Sequence, residues 1–456
     1  MIRVLVPSGV LGLEFSKEAL QRGLDNNPDI IAIDGGSTDS GPFYLGTANS
    51  KYSRAVTMGE WGYLLNASAQ ANIPLVIGSS GTCGADKSVD WMVEITKQLL
   101  ESSNQNIRIG TIKSSQNNKR ILSALHSGQL IPLKHAPAIS EKIISECTGI
   151  VALMGAEQIQ TALTRNVDII IAGRATDTAS IAALPLMKGI PPGIAWHGAK
   201  VAECGALCST NPLSGCIQID FHENYFEIEP LDPLAKCTPH SVSAHMLYEN
   251  SDPFILYEPG GHLDVSKATY EAVSDRKVRV TGGKWIPSPN YCVKLEGVRI
   301  AGYQTISLVL VRNIHYVRNI NTWVNSLKLF LEKSIMEKFA LETNSFFIDF
   351  RLIGSEGTLG SLENQHSQPT EVGVLGIVTT QTQELANEIA KHINPYLLHF
   401  PLTENEELPT FSFPYSPAET ERGPLYEFCL NHALEIDDPM EVFKIEVFES
   451  HGTPKR

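Results

Sequence analysis

The feature that most constrains this chain is a pattern repeated through its first half: a short β-branched run, a Gly- or Ser-containing loop, then an amphipathic helical stretch. The runs fall at Ile2–Val6, Asp29–Ile33, Ile73–Ile77, Ile107–Thr111, Gly149–Met154 and Val167–Ile171. Helical periodicity lies between them, as in Val89–Leu100 and Glu157–Arg165. Strands this uniformly apolar have lost the polar alternation of a half-exposed sheet, so both faces are covered. Parallel strands joined by helices through right-handed crossovers then give a doubly wound, mostly parallel α/β sheet.

The pattern changes after Cys216. Cys216–Asp220 and Tyr225–Ile228 flank His222–Asn224 as a hairpin. Residues 231–290 are rich in Pro, Gly and Asp and read as an irregular linking region with short strands. From Tyr291 a second ordered unit begins, with strands at Val298–Val311, Phe346–Ile353, Val372–Thr380 and Phe443–Phe448 and helices at Ile320–Phe339 and Gln383–Leu398. The β-α-β-β-α-β order predicts a ferredoxin-like α+β domain. The expected division is therefore 1–230, 231–290 and 291–450.

Composition narrows the function. At 456 residues the chain exceeds one ordinary core, and its formal net charge of −14 repels phosphate backbones and anionic lipid. Nucleic acid and membranes are thus not expected partners. No apolar run approaches the roughly 20 residues that span a bilayer. The eight cysteines are scattered, as in a reducing cytoplasm, and their spacing offers no zinc motif. A symmetric homo-oligomer is the prior for such an enzyme.

In an open α/β sheet, ligands bind where the strands end. The loop after the second strand reads Asp34-Gly35-Gly36-Ser37-Thr38-Asp39, two carboxylates and two hydroxyls around glycines. It is either a capped Asx-turn or a source of oxygen ligands and a general base. The loop after the third strand contains Ser80, Gly81, Thr82 and Cys83, with glycines at every third position. Its N–H groups suit an anion. It is not G-x-G-x-x-G, and no Lys-Ser/Thr follows, so neither NAD nor ATP is indicated. Cys83 reads as a bystander thiol rather than a nucleophile. A third loop presents Arg174 and Asp177, equally an anion clamp with its base or a structural ion pair. Lys113 and Glu157 follow other strands and are expected to face the same crevice. Trp196-His197 is ambiguous, and Lys294 with Glu296 reads as a surface ion pair.

Taken together, Ile33–Gly46, Val76–Trp91, Met154–Glu157, Asp168–Ala179, Ala195–Ala206, Glu229–Asn250, Tyr291–Thr305 and Phe411–Pro424 resemble the acyclic terpene utilisation family AtuA along essentially the whole chain. The resemblance implies a setting, catabolism through acyl-CoA intermediates, and no particular reaction. The reading that follows is an enzyme that hydrates, eliminates or hydrolyses a small carboxylate or acyl-CoA. Asp34, Asp39 and Asp177 are its proton-handling groups or Mg²⁺ ligands. Ser37, Thr38, Ser80, Gly81, Thr82, Lys113, Glu157 and Arg174 bind substrate. The alternative is a non-catalytic subunit that binds an acyl-CoA or a protein partner.

Overall fold

The computed structural model describes residues 1–101, 106–364 and 368–451. The chain divides into two compact units, Met1–Arg299 with Phe428–Arg456, and Ile300–Glu427. The first is built on a ten-stranded sheet whose five central strands are parallel. Their order is Ile2–Val6, Ile30–Asp34, Leu75–Gly78, Ile169–Ala172, Asn106–Lys113. Period-two alternation along these strands separates two cores. Val4, Ile30, Val76 and Ile170 pack on one face, and Leu5, Ile31, Ile77 and Ile171 on the other. The first face is covered by helices Ala156–Leu163, Ala179–Met187 and Pro192–Ala202, the second by Lys17–Asp25, Arg54–Ala71 and Asp86–Leu100. Helix starts follow the local chemistry: Ser16 accepts from the Ala19 N–H and Ser53 from the Val56 N–H.

Antiparallel strands extend both edges. Ile217–Phe221 and Phe226–Pro230 form the expected hairpin beside Ile2–Val6. Val278–Thr281 and Thr269–Ala272 continue outward, so part of the 231–290 region belongs to this sheet. The same region supplies a three-stranded sheet, Ile255–Glu258, Gly261–Asp264 and Lys284–Pro287.

Two strand expectations are corrected. The run at Gly149–Met154 forms a strand over Gly149–Ala152 that pairs antiparallel with residues 295–298, outside the parallel sheet. The late strand runs Lys444–His451 and pairs antiparallel with Asn106–Lys113, at the edge of the ten-stranded sheet. A short apolar run specifies burial, which several sheets can satisfy equally.

In the second unit, Phe346–Ile353 pairs with Val372–Thr380, which pairs in turn with Tyr303–Val311. Helices Ile320–Phe339 and Gln383–His399 pack on them around Trp323, Leu327, Ile389 and Ile393. Among the described residues, no helix is long and apolar enough to cross a membrane.

Candidate functional site

Three parallel strands end side by side, and their loops are knitted together by main-chain hydrogen bonds. The Gly35 N–H donates to the Gly78 carbonyl at 2.8 Å, Ser79 to Gly173 at 2.9 Å, Thr82 to Gly35 at 2.9 Å, and Arg174 to Gly84 at 3.0 Å. The approach is close enough to require glycine. A Cβ on Gly84, at φ +65°, would lie 2.2 Å from the Arg174 nitrogen, and one on Gly36, at φ +129°, 2.7 Å from the Thr82 Cα. Thr82 itself is held at φ +81° and Ser79 at φ +43°. A β-branched residue in that region is strained, and such strain persists where surrounding structure enforces it.

The N–H groups of Ser79, Ser80, Thr82 and Gly84 are thus committed to neighbouring carbonyls rather than to an anion. Gly81, at φ +63°, packs against Ser88. Ser80 is fully buried, and its hydroxyl has no hydrogen-bond partner.

Arg174 is the hub beneath these loops. It is 5% exposed, and its Nε lies 3.0 Å from Glu296 Oε2. Its other nitrogens reach Ser79 Oγ at 3.0 Å, Ser37 Oγ at 3.4 Å and Asp177 Oδ1 at 3.5 Å. Glu296 also receives the Thr38 hydroxyl at 2.7 Å and Lys294 at 2.9 Å. The Lys294–Glu296 pair is therefore anchored in the interior, because Glu296 is buried, and is not the surface pair expected. Burial alone would raise the Glu296 carboxyl, yet Arg174 and Lys294 hold it down to about 2.

Above the hub opens a cavity of about 550 Å³. Asp34, Ser37, Asp39 and Asp177 line it, joined by Lys51 and Glu203. Asp34 accepts the Gly36 N–H through Oδ2 at 3.0 Å, while buried Oδ1 has no partner. Burial, and then the negative charge of Asp177, raise the Asp34 carboxyl well above the usual range. Asp177 is raised by burial too, against the pull of Arg174.

This sequence matches the acyclic terpene utilisation family protein AtuA over residues 60–188 and 234–409. The chain belongs to the AtuA family. The matched stretches contain the Gly78–Asp86 and Arg174–Asp177 loops and Glu296, whereas Asp34, Asp39 and Glu203 lie outside them. No curated protein and no solved structure matches.

Other expected residues in this AtuA-family chain stand elsewhere. Lys113 pairs with Asp90 at 2.7 Å and does not line the cavity. Glu157 accepts the Tyr291 hydroxyl at 2.8 Å. Cys83 is fully buried, 3.4 Å from the Ser88 hydroxyl. His197 is a core residue: its Nε2 lies 3.1 Å from the Tyr270 hydroxyl, and burial drives it down to about 3.

Sequence patterns gave no sign of Glu203, Lys200, His245 or Glu258 as a group. Lys200 is buried against Glu203 and the Tyr248 carbonyl, and Glu203 keeps the ammonium charged despite that burial. Among the described residues, Glu203, Cys204 and His245 bring ligand atoms within 4.8 Å of one another. The adjacent Lys200 ammonium already supplies a cation there.

Glu258 accepts the Thr178 hydroxyl, and burial pushes its carboxyl up to about 7. At low pH both folded and unfolded chains keep this proton. As pH rises toward 7 the unfolded chain ionises first, so stability is lost between the usual glutamate range and about 7. At roughly 1.4 kcal/mol per pKa unit, the loss is about 3 kcal/mol. Glu258→Gln, which stays neutral, is expected to melt above wild type at pH 8.5 and close to it at pH 4. Parallel thermal melts at the two pH values that show a constant gap would refute this assignment.

Proposed function

We propose that the chain is an enzyme that moves a proton on a small carboxylate or acyl-CoA, adding or eliminating water or hydrolysing the thioester. The observation that carries this reading is the placement of Asp34 and Asp177 at one cavity, with Asp34 Oδ1 buried and unpartnered. Two neighbouring carboxyls whose pKa values are raised keep a proton that an ordinary carboxylate would already have lost, which suits them to general acid–base chemistry.

Arg174 is a positioning residue in this reading. Its donors are directed to Glu296, Ser79, Ser37 and Asp177, so it fixes the Asp177 loop rather than clamping substrate. Lys51 is the cation that lines the cavity and is assigned to the substrate carboxylate. With Asp39, Asp177, Glu203 and Glu249 also lining it, the cavity opposes an anion. Mg²⁺ held on these oxygens would offset that charge, so Mg²⁺ dependence is part of the proposal.

The test is turnover of a panel of CoA thioesters and small carboxylates by purified protein, with Mg²⁺ or with chelator. Wild type is expected to gain or lose water from at least one substrate, and Asp177→Asn to do so at least about tenfold more slowly. No turnover anywhere, with a second protein co-purifying at fixed stoichiometry, would instead identify a binding subunit.

The unit Ile300–Glu427 is read as a ferredoxin-like sandwich. Its strands stand in the order Phe346–Ile353, Val372–Thr380, the part of Tyr291–Val311 from residue 300 on, and the part of Glu419–Ile436 up to residue 427, with its two long helices at the positions of a β-α-β-β-α-β order.

A further inference from the structure

One stretch of the carboxylate cavity wall carries nitrogen and sulfur donors as well as oxygen. Glu203 and Cys204 follow directly on the helix Pro192–Ala202, and both line the cavity. His245 follows the short helix Pro239–Ala244. Lys200, on the last turn of the first helix, ties the two segments together by donating to the Tyr248 carbonyl at 3.0 Å. One ligand atom from each of Glu203, Cys204 and His245 lies within 4.8 Å of the other two.

His245 is the independent sign that this group is built for a ligand. It is 5% exposed, and its ring makes no hydrogen bond among the described residues, with Nε2 enclosed and unpartnered. Stacking on Tyr248, at 5.4 Å between centroids and 11° between planes, fixes the ring's orientation. An imidazole buried with nothing to bond is costly unless a ligand meets it. Lys200 does not meet it. The ammonium engages Oε1 of Glu203 and the Tyr248 carbonyl, and neither Cys204 nor His245.

We propose that Glu203, Cys204 and His245 bind one Zn²⁺ through a carboxylate oxygen, the thiolate sulfur and an imidazole nitrogen. The donors select the ion: Mg²⁺ and Ca²⁺ take oxygen, whereas thiolate beside imidazole suits zinc. Tetrahedral bonds of about 2.0–2.3 Å set neighbouring donors roughly 3.5 Å apart, so side-chain movements of about 1 Å close the group. The Cys204 thiol gives its proton to solvent as the sulfur binds. Lys200 repels the ion, but Asp39, Asp177 and Glu249 line the same cavity and keep the surroundings net negative. Those three also remain as oxygens for Mg²⁺. Three protein ligands leave a fourth position for water or a substrate oxygen, the arrangement of an open zinc site. No zinc spacing marks the group in the sequence, because two donors are adjacent and the third comes from beyond another helix. The site stands on these donors and does not rest on the proton-transfer reading.

The test is a titration of the full-length protein, stripped with chelator, with Co²⁺, whose near-ultraviolet sulfur-to-cobalt absorption reports thiolate ligation. Wild type is expected to develop that band with about one Co²⁺ per chain, and Zn²⁺ should abolish it. A large excess of Mg²⁺ should not. Cys204→Ser should lose the band, and His245→Ala should bind Zn²⁺ at least about tenfold more weakly. Cys292→Ser, which removes the other half-buried thiol, should bind as wild type does. Zn²⁺ should raise the melting temperature of wild type and Cys292→Ser but not of Cys204→Ser, and the same melts show that each variant is folded. No band in wild type, a band that survives in Cys204→Ser, unweakened Zn²⁺ binding by folded His245→Ala, or displacement of Co²⁺ by Mg²⁺ would overturn the proposal. Turnover is scored separately through Asp177→Asn, so either reading can fail without the other.

Discussion

Replacing Arg174 by Met is expected to cost about 3–5 kcal/mol of folding stability, because it strands buried carboxylates rather than because it removes a favourable pair. Glu296 is itself buried, and with Arg174 gone it would keep only Lys294 and the Thr38 hydroxyl as partners. Asp177 would lose its nearest cation, and Ser79 and Ser37 their guanidinium donors. The decisive comparison is with the double variant Arg174→Met/Glu296→Gln. If the loss comes from an uncompensated charge, the double variant should melt above Arg174→Met, whereas independent losses would add. An Arg174→Met melting temperature within about 2 °C of wild type would show that the hub does not hold the loops together.

That hub also shows how far the sequence could be read. The strand-end position of Arg174 and Asp177 followed from an apolar run closing on a polar loop, a local signal. What Arg174 touches was not local: Glu296 is 122 residues away and comes from a strand that pairs with Gly149–Ala152 rather than with the parallel sheet. Alternation along residues 293–297 correctly placed Lys294 and Glu296 on one face, but could not say that the face is interior. Ser37, Thr38 and Arg174 do meet around Glu296, as two loops at one sheet edge should. Lys113 illustrates the opposite outcome. Its strand is legible, but its side chain reaches back to Asp90 on the preceding helix, Asp86–Leu100, because a long flexible cation finds a nearby exposed carboxylate. Glu203 and Glu258 were unreadable for a simpler reason. Each stands in a segment with ordinary local patterning, and only burial turns an ordinary glutamate into a perturbed one.

Asp34→Asn is expected to lower the turnover rate by about 10²–10⁴-fold on whichever substrate the panel identifies, the range associated with removing a positioned acid–base group. The substitution preserves shape, and the Asn oxygen can still accept the Gly36 N–H, so loop geometry provides no competing explanation. The pH profile separates proton transfer from simple binding. Asp34 acts as a base only when ionised, and both burial and the Asp177 charge raise the pH at which that happens. Wild-type rates should therefore rise with pH above the ordinary carboxylate range. Asp177→Asn removes the negative charge that raises Asp34, so the rising limb should move to lower pH even as the maximal rate falls. A purely structural Asp177 would lower the rate without moving the limb. If Asp34→Asn stays within about threefold of wild type at every pH, proton transfer does not pass through Asp34 and the site assignment fails.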